Sequence, residues 1–156
     1  MVLTAILIGS FSVLIFRAID VKTVDSYYPR LKDAYWIDPQ YRKELPKVGI
    51  ANLDDLILKT KEKKERDELA LRLLIPKELL VQWVERAHLA QLKGLGVENL
   101  SILEKADIHS VSALAAEDPE KLYEKIERVS QTRMRPRKAK IRIWVREAQK
   151  KVKSSP

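Results

Sequence analysis

The residues best suited to do chemistry are Lys93-Gly94-Leu95-Gly96-Val97. Two glycines flanking one apolar residue let the backbone turn sharply and approach another surface closely. The amides of such a turn, together with the start of a helix near Val97, converge outward as a cradle for an anion. Lys93 adds positive charge beside it. The bland alternative is a helix corner that packs only on its own core.

The surrounding elements give this turn its class. Leu89 to Lys93 reads as the end of one helix and Val97 as the start of a short second one, a helix-hairpin-helix layout in which a nucleic-acid phosphate is the usual anion. The template recurs. Leu45-Pro46-Lys47-Val48-Gly49-Ile50-Ala51-Asn52-Leu53 aligns with Leu92 to Leu100, matching the leucines, the second glycine, a β-branched residue and the asparagine. A third copy runs from Leu103 to Val111, with Asp107 in the glycine position. Such duplication marks a fold built from one repeated supersecondary unit. Asp tolerates the left-handed turn, but its carboxylate repels phosphate. The third copy is therefore expected to be structural, and Lys47, Val48 and Gly49 to form a second phosphate site.

Charge is concentrated downstream. The whole chain carries +8, yet Lys121 to Lys153 holds thirteen lysines and arginines against Glu124, Glu127 and Glu147. The densest run is Arg133, Arg135, Arg137, Lys138, Lys140 and Arg142. A block like this attracts a polyanion by counterion release and long-range steering. Its arginines favour phosphate recognition. An anionic lipid surface is an alternative target, and a solvated basic face is the ordinary one.

Arg66 to Lys150 resembles an uncharacterised family of helix-hairpin-helix proteins, one of the domain-of-unknown-function families. The resemblance is carried by Arg66-Asp67-Glu68-Leu69-Ala70, Trp83-Val84-Glu85-Arg86-Ala87-His88-Leu89 and Lys93-Gly94-Leu95-Gly96. It continues through Ile108 to Ala115, Asp118-Pro119-Glu120-Lys121-Leu122 and Trp144-Val145-Arg146-Glu147-Ala148. His88 departs from the pattern, which has an acidic residue there. The resemblance implies a compact helical fold with a nucleic-acid-binding or protein-binding role, and no established activity.

Catalysis finds little support. His88 and His109 are isolated and there is no cysteine, so neither a zinc site nor any other metal site is expected. No phosphate-loop or dinucleotide fingerprint occurs. Helix-hairpin-helix glycosylases pair their hairpin with a catalytic aspartate in a larger scaffold. Here Asp107 falls in a turn and Asp118 at a helix cap, and the chain has no room for a base-flipping pocket. No cofactor or small-molecule substrate is expected.

The N-terminal Val2 to Phe16 is uncharged and strongly apolar. No basic residue precedes it and Phe16-Arg17-Ala18 makes a poor cleavage site, which argues against a signal peptide. A buried helix would show a polar stripe. A single-pass membrane anchor over residues 1–19 fits best. Arg17, Lys22, Arg30 and Lys32 follow the apolar run Val2 to Phe16, so the positive-inside rule puts the C-terminal domain in the cytoplasm. Residues 20–44 read as a linker. Its Tyr27, Tyr28, Tyr35, Trp36 and Tyr41 either cap the core or form a stacking or interfacial surface, and the first reading is preferred.

Residues 45–152 are then an all-α domain of tandem helix-hairpin-helix units, and 153–156 a tail. Asn52, Ser110 and Asp118-Pro119 are helix-start signals. Helices are expected over residues 61–74, from Pro76 onward, and over 139–152, with Trp83 and Trp144 in the core. The features join in a non-enzymatic, membrane-tethered module that binds DNA or RNA without sequence specificity. The rival is a protein-interaction scaffold whose basic segment meets anionic lipid or an acidic partner. The discriminating observation is whether the glycine turns lie exposed beside the basic strip.

Overall fold

The computed structural model describes residues 29–130 and 135–154, and all their helices and turns belong to one core. In chain order the α-helices are α1 (Pro39–Glu44), α2 (Leu53–Leu58), α3 (Lys63–Leu73), α4 (Lys77–Ala90), α5 (Leu100–Lys105), α6 (Val111–Ala116), α7 (Pro119–Val129) and α8 (Lys138–Ser154). Single 3-10 turns cover Leu31–Asp33, Leu45–Val48 and Val97–Asn99. The only extended pairing among the described residues is an isolated bridge between Arg30 and Asn52. None of their helices is long and apolar enough to cross a membrane. The Val2 to Phe16 segment lies outside the described residues.

Helix starts follow local chemistry. Asn52 Oδ1 accepts the Asp55 amide at 2.9 Å, and Ser110 Oγ accepts that of Ala113 at 3.1 Å. Asp118 Oδ1 accepts the Glu120 and Lys121 amides, both at 3.0 Å, with Pro119 at the first helical position. Each bond satisfies a donor that the helix itself leaves unpaired and stabilises the helix by about 1 kcal/mol.

Helix stops are equally local. Gly49 and Asp107 take left-handed conformations with φ of 79° and 61°. One residue later the Ile50 amide returns to the Leu45 carbonyl at 3.0 Å, and that of Ile108 to Leu103 at 2.9 Å. The side chains of these pairs are buried against the core. This is the six-to-one closure of a helix C-terminus with its apolar contact. A third instance ends α3, where Leu74 has φ 55° and the Ile75 amide reaches the Ala70 carbonyl at 3.0 Å. No glycine marks that turn, so the glycine pattern gives no sign of it.

The core forms around α4, which packs on α2, α3, α5 and α6, while α8 packs on α6 and α7. Trp83 of α4 and Trp144 of α8 are both fully buried, as are Leu53, Leu56, Leu80, Leu100 and Leu103. Burying one such side chain contributes about 1.5–3 kcal/mol. Residues 29–44 join this core through Leu31, Ala34 and Ile37. Tyr41 lies against Trp83 with centroids 5.4 Å apart, and Trp36 is partly buried beside the same cluster. Tyr35 stays half exposed, edge-on to Trp36. Tyr27 and Tyr28 lie outside the described residues.

Candidate nucleic-acid interface

The second glycine turn begins where α4 runs out of helical hydrogen bonds. The Leu95 amide returns to the Leu92 carbonyl at 3.0 Å, and Gly94 takes φ 77°. Gly96 follows at φ 69° and ψ 171°, a region open essentially to glycine alone. The two glycines thus do different jobs, and Gly96 is the one that sequence chemistry could not replace. Leu95 and Val97 point into the core, whereas Lys93 and Gly94 are exposed and Gly96 is half-buried.

Helix α8 fixes the orientation of this turn. The buried Trp144 indole N–H donates to the Gly94 carbonyl at 2.7 Å. A Cβ on Gly94 would sit 3.9 Å from Ile143 Cγ2, so the α8 side of the glycine has room for a methyl group, and its φ of 77° is what favours glycine there. With that carbonyl drawn inward, the turn opens toward a depression of about 640 Å³ lined by Lys93, Gly94, Gly96, Glu98 and Lys140. Lys140 lies over the Trp144 ring, 5.7 Å from its centroid. Neither Lys93, Lys140 nor Arg137 forms an ion pair with another described residue. The exposed glycine turn and the basic helix therefore share one surface.

The rest of the basic strip is engaged inside the molecule. Arg135 Nη1 lies 2.9 Å from Glu127, and Lys138 3.1 Å from Glu120, which also pairs with Arg142. Arg142 and Lys138 together hold the Glu120 carboxyl below its ordinary range. Lys138 also sits over the Tyr123 ring at 4.9 Å. Arg133 lies outside the described residues.

Lys47, Val48 and Gly49 are not part of this depression. The Gly49 turn carries an ammonium: Lys59 Nζ donates to the Val48 carbonyl at 3.2 Å and stands 2.5 Å from where a Cβ on Gly49 would be. Lys47 pairs with Glu44 at 2.7 Å. The third turn is occupied by its own side chains, with His109 Nε2 3.1 Å from Asp107 Oδ1.

Two residues that sequence reasoning missed shape the candidate site. Trp144 reads only as core, although its indole also orients the turn. Glu98 reads as an unremarkable acidic residue in a first helical turn, yet its carboxylate folds back over Gly96. Asn99 holds it there, donating from Nδ2 to Glu98 Oε1 at 3.2 Å and also to the Leu95 carbonyl. Asn99 aligns with Asn52 but makes no cap bond. The 3-10 turn at Val97–Asn99 displaces it into a different role.

A second group of half-buried polar residues lies along α4, away from the turn. Burial pushes the His88 imidazole down to about 4, with Lys151 acting in the same direction. Burial also raises Glu85 and lowers the Lys151 ammonium. Elsewhere Tyr35 is pushed up to about 12 by burial and by Glu104, whose carboxylate it donates to at 3.3 Å.

Fold and site together define an all-helical domain with a glycine turn presented beside a basic helix. The chain belongs to the family described as domain of unknown function DUF4332, whose pattern matches residues 36–151. That match begins within residues 29–44, the stretch that carries Ile37, Trp36 and Tyr41 into the core. No curated protein and no solved structure matches the chain.

Proposed function

We propose that this protein is a non-enzymatic module that binds the phosphate backbone of DNA or RNA without reading bases. In this reading its repeated turns are helix-hairpin-helix units. The apolar N-terminal segment tethers it to a membrane with the helical domain on the cytoplasmic side, as the basic residues after that segment suggest. The observation that carries the binding assignment is the depression shared by Lys93, Gly94, Gly96 and Lys140. Two lysines outside ion pairs meet an exposed turn whose carbonyl faces away, which favours an anion.

Arg137 extends the surface one helical turn before Lys140. Arg135, Lys138 and Arg142 extend it further, because exposed ion pairs are worth little and a polyanion can take over their cations. Arg133 adjoins them in sequence. The Gly49 turn drops out of the contact, since the Val48 carbonyl faces a cation there.

The test is a titration of the full-length protein, in mild detergent, against labelled duplex DNA, single-stranded DNA and RNA at several salt concentrations. Affinity that weakens with salt, and weakens further in a folded Lys93→Ala/Lys140→Ala variant, supports the reading. Loss only on neutralising Arg135 and Arg137 assigns binding to the strip and leaves the turns as architecture. No binding near physiological salt removes nucleic acid as the partner.

A second reading, a protein-interaction module, is favoured by one observation. Exposed Leu58 and Val81 line a depression that reaches His88, and exposed Val152 lines its neighbour on the other side of the same histidine. Scattered apolar side chains are normal, but three around two depressions that share His88 point to contact with another surface.

A further inference from the structure

We infer that Glu98 is a selectivity gate on the glycine turn, holding the anion position with its own carboxylate so that a lone phosphate is refused and a polyanion admitted. The inference rests on the phosphate-binding reading of that turn. It starts from where the carboxylate lies. A Cβ built on Gly96 would be 2.6 Å from Glu98 Oε1 and 2.8 Å from Cδ. Glu98 therefore stands over the Cα of Gly96 with its carboxylate beside the turn. Glu98 also lines the depression with Lys93 and Lys140, so one internal anion already offsets part of the charge of those two cations.

The contact is easily broken. Asn99 Nδ2 is the sole hydrogen-bond donor to this carboxylate among the described residues, and no lysine or arginine is within ion-pair distance of it. Glu98 is exposed, so rotating its side chain into solvent costs little. An internal ligand weakly held in this way lowers the affinity of any competitor by its own occupancy. A small anion gains only the turn and two lysines, and must displace a tethered carboxylate whose effective concentration is high. A nucleic-acid strand also engages Arg137 and the cations along α8, and releases counterions there. The strand overcomes the gate through contacts that a lone phosphate does not make.

The decisive variant is Glu98→Gln, which keeps an oxygen acceptor for Asn99 while removing the charge. Full-length wild type and variant are first compared by thermal melt to establish equal folding. Each then receives two probes. One is labelled duplex DNA read by anisotropy, and the other is inorganic phosphate read by NMR shifts of the Gly94 and Gly96 amides. The gate predicts that wild type binds duplex while its glycine amides ignore phosphate. Glu98→Gln should bind duplex about fivefold more tightly, the effect of removing one unit charge a few ångströms away in water. Its glycine amides should also shift with phosphate. Glu98→Ala should behave like Glu98→Gln.

Failures separate cleanly. If wild-type duplex binding needs Lys93 and Lys140 but Glu98→Gln matches wild type with both probes, the gate is wrong and the nucleic-acid reading stands. If neither protein binds duplex while phosphate moves the amides in Glu98→Gln alone, Glu98 only shields the turn from small anions, and both the selectivity for a polyanion and the nucleic-acid reading fall. If neither probe affects either protein, both are overturned.

Discussion

The Gly49 turn and the Gly94–Gly96 turn follow one sequence template and present opposite charges. At Gly49 an ammonium closes the turn: Lys59 reaches back from beyond α2 to the Val48 carbonyl. At Gly96 a carboxylate covers the turn, and the Gly94 carbonyl is drawn inward by Trp144. Similar turn geometry thus seats a cation on a carbonyl in one copy and an internal carboxylate over the glycine in the other. What sets the difference is the helix behind each turn. Only the second has a buried indole to hold its carbonyl, and it opens onto the depression lined by Lys93 and Lys140.

The largest effect that would break this comparison is loss of the indole. Trp144→Ala should destabilise the protein by about 3–5 kcal/mol, through a large cavity and a lost hydrogen bond. Lys59→Ala, its counterpart at the first turn, should cost less than about 0.5 kcal/mol as a surface change. Trp144→Phe should lie between, at about 1–3 kcal/mol, because one aromatic ring remains while the bond to Gly94 and the volume of the second ring are lost. Urea denaturation measures all three. Similar costs for Trp144→Phe and Lys59→Ala would mean that the indole bond does not distinguish the turns.

The glycines give the next contrast. Gly96→Ala should cost about 2–3 kcal/mol, since φ 69° with ψ 171° is closed to side-chain-bearing residues. Gly49→Ala needs only an ordinary left-handed conformation and should cost about 1–2 kcal/mol. Asp107 already occupies that conformation at φ 61° without help from a glycine. Equal melting shifts for the two alanine variants would count against this ranking.

Much of this architecture is legible in the sequence, and the limits are physical. Asn52, Ser110 and Asp118 announce their helices because a cap is a contact between near neighbours in the chain. Asp107 reads correctly as a left-handed residue because its template is shared. Leu74 does not, since nothing in its residue type signals a positive φ; the buried Ile75 beside it holds the turn. The candidate site is legible in its glycines and its basic run. Their meeting is not, because Trp144 and Gly94 are fifty residues apart. Nor does residue type show that Lys59 would fold onto one turn and Glu98 onto the other. The partial burial of residues 29–44 follows from Leu31, Ala34 and Ile37, which are too few to read as a periodic element.

Acid acts on the His88 cluster by a smaller amount. His88 faces Lys151 and Glu85 between α4, α6 and α8, and its folded value of about 4 lies below the ordinary 6.5. Between those values the unfolded chain binds more protons than the folded one. Stability is therefore complete above about pH 6.5 and is lost as pH falls toward 4. Allowing for solvent screening at a half-buried site, the loss amounts to about 1–2 kcal/mol. Glu85, which is raised by burial, takes up its proton more readily in the folded state than in the unfolded one, which moderates the loss as pH falls. His88→Gln should flatten the pH dependence of the melting temperature across this range. An unchanged slope would show that the imidazole is solvated in the folded state.

The finest contrast is between two lysines at equivalent turns. Lys47 is held by Glu44, and the nearby carbonyl faces a cation, so Lys47→Ala should leave duplex affinity unchanged. Lys93 forms no ion pair among the described residues and lines the depression at the turn, so Lys93→Ala should weaken binding about threefold. It should also lower the slope of log affinity against log salt by about one, because one phosphate contact releases about 0.9 counterions. The slope matters more than the affinity. A generally basic surface would lose a little affinity from either lysine, whereas a phosphate seated on one turn loses a whole contact from Lys93 and none from Lys47. Equal slopes in the two variants would show that the repeats are electrostatically equivalent, and the distinction drawn from Trp144 and Lys59 would then concern stability rather than binding.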